Sequence, residues 1–93
     1  VTTVTNYNIE KSNYIIGVDS TSNSVTVTLP DASTLSSGHA FIVKDEGGAA
    51  FTNNITISAS GSQKINNSNT AVLQVPYSSI QLYCNGTNKF FIF

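Results

Sequence analysis

Val25-Thr26-Val27-Thr28-Leu29-Pro30 is the stretch whose reading decides the fold. Val25, Val27 and Leu29 alternate with Thr26 and Thr28, and Pro30, which has no N–H to give to a ladder, stops the strand. Ile55-Thr56-Ile57-Ser58 repeats the pattern, and Gly61 follows it. Successive side chains of a strand point to opposite faces, so each stretch has one apolar face and one hydroxyl face. That alternation predicts a half-exposed sheet, expected to be antiparallel. Helical spacing of apolar residues is absent along the chain.

Other segments are apolar on both faces. Tyr14-Ile15-Ile16-Gly17-Val18, Ala40-Phe41-Ile42-Val43 and Phe90-Phe91-Ile92-Phe93 all read this way. Ile80, Leu82 and Cys84 share one face, with Gln81 and Tyr83 on the other. A strand apolar on both sides must be covered on both sides, and a chain of 93 residues has little material for a second cover. Neighbouring subunits supply it most economically. Tyr14, Ile15, Phe41, Val43, Tyr83, Phe91 and Phe93 are the expected interface. The competing reading makes these segments the central strands of a two-sheet sandwich. Turns are clearly marked at Ser20-Thr21-Ser22-Asn23-Ser24, at Glu46-Gly47-Gly48 and at Asn85-Gly86. Asn-Gly favours a type I′ hairpin turn, which would join residues 80–84 to 89–93 as an antiparallel pair. Residues 31–39 hold a loop or a short helical turn, with Asp31 placed to cap it. No fixed-period repeat emerges.

The length predicts a single domain over residues 1–93. The chain starts at Val1 without a methionine, which suggests a piece or a processed product of a longer chain. One cysteine excludes an intrachain disulfide, and Cys84 with His39 falls short of the four ligands of a structural zinc site. With 13 Ser, 11 Thr and 11 Asn, the chain is solvated by neutral hydrogen-bonding groups rather than by charge. The net charge is −1, there is no arginine, and Lys11, Lys44, Lys64 and Lys89 are scattered singly. Nucleic acid and anionic membranes are therefore not expected partners. No apolar run approaches the length of a membrane-spanning helix.

Candidates for chemistry are few. His39 is the only histidine, and among so many serines a nearby hydroxyl carries no information. Asp45-Glu46 could offer oxygens to Ca²⁺, but neighbours on a strand diverge, and Gly47-Gly48 points to a solvated turn. Asn54-Ile55-Thr56, Asn66-Asn67-Ser68 and Asn85-Gly86-Thr87 match the glycosylation acceptor pattern, as a chain this rich in Asn, Ser and Thr does by chance. Cys84 reads as a small buried hydrophobe without a cation to activate it. Tyr7, Tyr14, Tyr77 and Tyr83 could stack on sugars or pack as ordinary strand residues. No catalytic residue, cofactor or metal ligand is assigned.

Five stretches taken in order carry a resemblance. They are Tyr14-Ile15-Ile16-Gly17-Val18-Asp19, Ser24-Val25-Thr26-Val27-Thr28-Leu29-Pro30, Phe41-Ile42-Val43-Lys44-Asp45-Glu46-Gly47-Gly48, Asn53-Asn54-Ile55-Thr56-Ile57 and Leu82-Tyr83-Cys84-Asn85-Gly86-Thr87-Asn88-Lys89-Phe90. Together they resemble a recurrent β-domain of bacteriophage and virus structural proteins, found in tail fibres, spikes and other virion appendages. Two positions depart from its pattern: Cys84-Asn85 stands in place of Ser-Asp, and Lys89 in place of tryptophan. The resemblance implies a trimeric, metal-independent structural module.

The combined expectation is an all-β domain, a small antiparallel β-sandwich or jelly-roll-like fold, intertwined as a homotrimer. It would be a non-enzymatic part of an extracellular virion, most simply a tail fibre or spike domain that takes part in host attachment. Its partners would be further copies of itself, other virion proteins and a host-surface glycan. The alternatives are a trimeric capsid decoration protein and a carbohydrate-binding module of a secreted protein.

Overall fold

A computed structural model describes residues 1–93 and contains ten strands. They are β1 Thr2–Thr3, β2 Tyr7–Asn8, β3 Ile15–Val18, β4 Val25–Thr28, β5 Ala40–Asp45, β6 Ile55–Ser58, β7 Lys64–Ile65, β8 Thr70–Leu73, β9 Ser79–Cys84 and β10 Lys89–Ile92. The one helical piece is a 3-10 turn, Ala32–Thr34. The strands form two sheets, one in the order β1-β3-β5-β9-β10-β7 and one in the order β2-β4-β6-β8. The all-β, two-sheet expectation holds.

The antiparallel expectation does not hold. Five pairings are parallel: β1 with β3, β3 with β5, β2 with β4, β4 with β6, and β7 with β10. Only β5–β9, β6–β8 and β9–β10 are antiparallel. Alternation reports which face of a strand is dry, and it is the same for both directions. From β1 to β8 the chain changes sheet at every strand. Parallel neighbours need a crossover, and here each crossover contains a strand of the opposite sheet. The winding is therefore that of an irregular coil. Thr2 faces Gly17, Tyr7 faces Val27, Ile15 faces Ile42 and Val25 faces Ile55, so successive turns grow longer. That growth is why no fixed period is visible in the sequence.

The core lies between the sheets. Ile16, Val18, Phe41, Val43, Leu82 and Phe90 come from the larger sheet, and Val25, Val27, Ile55 and Ile57 from the smaller one; none is more than 1 % exposed. Phe41 and Phe90 meet with ring centroids 6.3 Å apart. A monomer of 9.9 kDa is expected to expose about 5,200 Å², and this chain exposes 4856 Å². The inner faces thus close against each other within one chain.

Two turns show how polar side chains replace missing backbone partners. Asp31 caps the 3-10 turn as expected: its Oδ1 accepts from the N–H and the Oγ of Ser33 at 2.9 and 2.7 Å. It also accepts from Gln63 Nε2 at 2.7 Å, while Gln63 Oε1 accepts from the Ala32 N–H. The β9–β10 hairpin forms, but its turn is not type I′, because only Gly86 (φ +75°) has a positive φ. Asn85 Oδ1 instead accepts from the N–H groups of Thr87, Asn88 and Lys89 at 2.9, 3.0 and 3.1 Å, closing a longer loop.

Truncating Phe41 to alanine should cost about 3–5 kcal/mol of unfolding free energy, measured by urea titration, a large share of the stability of a small domain. The carboxyl of Asp31 is held below the usual carboxylate range, first by the Ser33 hydroxyl, then by the Ser33 N–H and by Gln63. A depressed folded value means that its contribution is present above the unfolded value of about 3.9 and is lost as pH falls through the folded one. Amide exchange at Ser33 and Thr34 should therefore quicken only below the ordinary carboxylate range.

Candidate functional site

Side chains on the outward face of the larger sheet have no cover within the chain. Tyr83 sits at its centre, with ring centroids 5.4 Å from both Phe91 and Phe93. Lys89 lies over the Phe91 ring, 5.6 Å from its centroid, at the position where the resemblance pattern carries tryptophan. Across the strands, Tyr83 is paired with Phe91 and Ala40, and Ile42 with Ile15. Tyr14, Ile15, Tyr83 and Phe93 are 59, 48, 38 and 63 % exposed. A large apolar side chain carries about 150–250 Å² of surface, so Ile15, Tyr83 and Phe93 leave about 300 Å² open on this face. The largest apolar patch on an ordinary monomer is about 300–600 Å², and such patches often carry function.

Four of the seven residues expected at an interface, Ile15, Tyr83, Phe91 and Phe93, lie on this outward face, whereas Tyr14, the residue before β3, is exposed but takes the opposite parity to Ile15. Phe41 and Val43 do not lie on it either. Both point into the core and have no exposed surface, so they are unavailable to a neighbour of the folded chain. The outward residues of β5 are Ala40, Ile42 and Lys44. The parity of this strand was ambiguous because Lys44 and Asp45 put a charge on each face. Lys44 is the informative one, since Asp45 is buried and satisfied there.

Asp45 has no exposed surface. Its Oδ1 accepts from the Gly48 N–H at 3.0 Å, and its Oδ2 accepts from the N–H groups of Ala50 at 3.2 Å and Tyr77 at 3.0 Å. One carboxylate therefore ties the β5–β6 connection to the loop before β9. Lys44 Nζ donates to the Tyr77 carbonyl, so the residue is held from both sides. Tyr77 has φ +60°, left-handed backbone that few non-glycine residues adopt. The Ser78 N–H donates to the Val75 carbonyl at 3.1 Å, closing a turn with Pro76 and Tyr77 in the middle. A turn with positive φ at its third position ordinarily calls for glycine or asparagine there. The Tyr77 ring fills the space a Cβ on Gly48 would need, yet the residue is 60 % exposed. Phe51, next to Ala50, is 77 % exposed. The sequence marks Tyr77 only as one of four tyrosines able to stack on sugars; its left-handed backbone and its ties to Asp45 and Lys44 give no signal there.

The remaining candidates are placed as follows. His39 lies against Phe41, ring centroids 4.9 Å apart, and its carbonyl accepts from the Cys84 N–H at the start of β5. The buried Cys84 thiol donates to the Ser36 carbonyl. Glu46 lies over Gly17, away from Asp45, so the adjacent carboxylates diverge. Three or more His, Cys, Asp or Glu converge nowhere in the chain. A shallow depression lined by Thr2, Thr3, Val4, Asp19 and Glu46 is open to solvent. Its Asp19 carboxyl is held below the usual range by hydrogen bonds from the Thr21 hydroxyl and N–H. The Tyr7 hydroxyl donates to Asn13 Oδ1 at 3.0 Å, which leaves Tyr7 half-buried. Comparison of the sequence with protein-family models and with curated proteins finds no match.

Replacing Asp45 with asparagine should destabilise the domain by about 2–4 kcal/mol, because an amide NH₂ turned toward buried N–H donors leaves them unsatisfied. Chemical denaturation measures the loss. Serine, which cannot span both loops, should cost at least as much.

Proposed function

We propose that the domain is a non-enzymatic structural part of a virion, a tail fibre or spike module that associates as a homotrimer and meets the host through loops at one end. The observation carrying this reading is the aromatic outer face of the larger sheet, open in a chain whose core is otherwise closed. Water around Ile15, Tyr83 and Phe93 is released when that face is covered, at about 25 cal/mol per Å². A second copy of the chain suits it. The charges on this face lie around its aromatic patch: Lys44 beside Gly17 with the Glu46 carboxylate over it, and Lys64 paired with Lys89 at the far edge. Partly exposed Ala40, Ile42 and Phe91 and the Lys89 stem extend the patch toward the roughly 800 Å² per partner of a stable interface. The resemblance to virion appendages supplies the three-fold symmetry and the biological setting.

Light scattering after size exclusion should give a mass near three times 9.9 kDa that persists on dilution. Joint replacement Tyr83→Lys and Phe93→Lys should convert it to the single-chain mass with cooperative unfolding retained, because neither side chain enters the core. A wild-type monomer or dimer overturns the trimer. Localisation in purified particles then separates a few copies at an appendage from many copies on a capsid lattice.

A further inference from the structure

We infer that Tyr77, together with Phe51, forms a contact site for a neutral oligosaccharide at the loop end of the domain. The inference rests on the host-contact part of the reading above and names the site and the ligand class. It starts from a conformational outlier. Tyr77 occupies a left-handed backbone position that glycine would fill without strain. Strain of this kind persists only where the surroundings over-determine it, and it concentrates at ligand sites. Here the surroundings do so fully. The buried Asp45 carboxylate receives the Tyr77 N–H, the Lys44 amino group reaches its carbonyl, and Gly48, itself at φ +72°, makes room for the ring. Such an arrangement would serve packing if the ring were buried, but the residue is 60 % exposed. The structure therefore displays a rigid aromatic ring to solvent.

The same carboxylate oxygen that takes the Tyr77 N–H takes the Ala50 N–H, so the two loops are adjacent at this point. Phe51 follows directly and is 77 % exposed. Thr52 and Gln74, both exposed, put a hydroxyl and an amide group on the same two loops. Lys44 and Asp45 are engaged by loop backbone, which leaves Glu46 as the nearby carboxylate. Exposed aromatic faces with neutral hydrogen-bonding groups beside them match a pyranose, which has an apolar C–H face and a hydroxyl rim. Two ring side chains on loop tips offer far less than the roughly 800 Å² a protein partner would use. A held ring also loses little freedom on binding, and that favours a small ligand.

The test uses the whole chain against a printed panel of neutral oligosaccharides of the types found in bacterial surface polysaccharides, followed by titration calorimetry with any that bind. Tyr77→Gly removes the ring and relieves the backbone, so its melting temperature should equal or exceed that of the parent. Its affinity should fall by roughly tenfold or more. Tyr77→Asn, which also tolerates this backbone, should behave alike, and Phe51→Ala should weaken binding. Tyr83→Lys should leave the affinity per chain unchanged. Binding that survives Tyr77→Gly within twofold, or a wild-type chain that binds no member of the panel, overturns the site. A trimer that binds no glycan leaves the structural reading standing without this site. A monomer that binds through Tyr77 upholds the site and removes the trimer.

Discussion

In this domain each parallel pair among the first six strands is connected through the opposite sheet. No helix is available to cover a crossover, so the covering is done by strands, and every turn of the chain adds one strand to each layer. The inner faces of both layers must then be apolar at the same time, which is why Val25, Val27 and Ile57 face Phe41, Val43 and Leu82 in one continuous core. The sheets diverge in role on their outer sides. Thr26, Thr28, Thr56 and Ser58 keep the smaller sheet wet. The larger sheet carries Tyr83, Phe91 and Phe93 instead, and so looks for a cover.

Asp45 solves a different difficulty. The β5–β6 connection must leave one layer and enter the other, and its backbone N–H groups turn inward on the way. A carboxylate at the last inward position of β5 collects them without needing a cation. The same group reaches the loop before β9, the strand that pairs with β5. Strand pairing and loop geometry are thus set at one atom cluster, and Tyr77 is shaped by it.

Much of this could be read in the residues, for identifiable reasons. Strict alternation made the inward rows of β4 and β6 plain, and Asn85-Gly86 marked the hairpin. Asp31 after Pro30 announced a cap, and a cap was found. Strand direction was not legible, because a period of two is common to parallel and antiparallel neighbours and the unequal turns hide the coil. The misplacement of Phe41 and Val43 has a sharper cause. A buried charge at Asp45 sits on the same face as they do, and that burial is tolerable because it receives N–H groups from Gly48 and Ala50 in the following turn and from distant Tyr77. The aromatic face was largely foreseeable. The pinned Tyr77 was not, since its conformation depends on groups remote in sequence.

The strand order has one more consequence, for synthesis. β5 lies between β3 and β9, and β9 with β10 separates it from β7. While residues 79–93 are still within the ribosome, β5 has an open edge and Phe41 lacks Phe90, and β7 has no neighbour to hold it in the larger sheet. The smaller sheet, whose last strand ends at Leu73, can form earlier. The closing hairpin therefore acts as a vectorial latch: one layer waits, adhesive and incomplete, until the final segment slides between strands already made. Nascent chains caught in that interval are the ones most exposed to capture by one another.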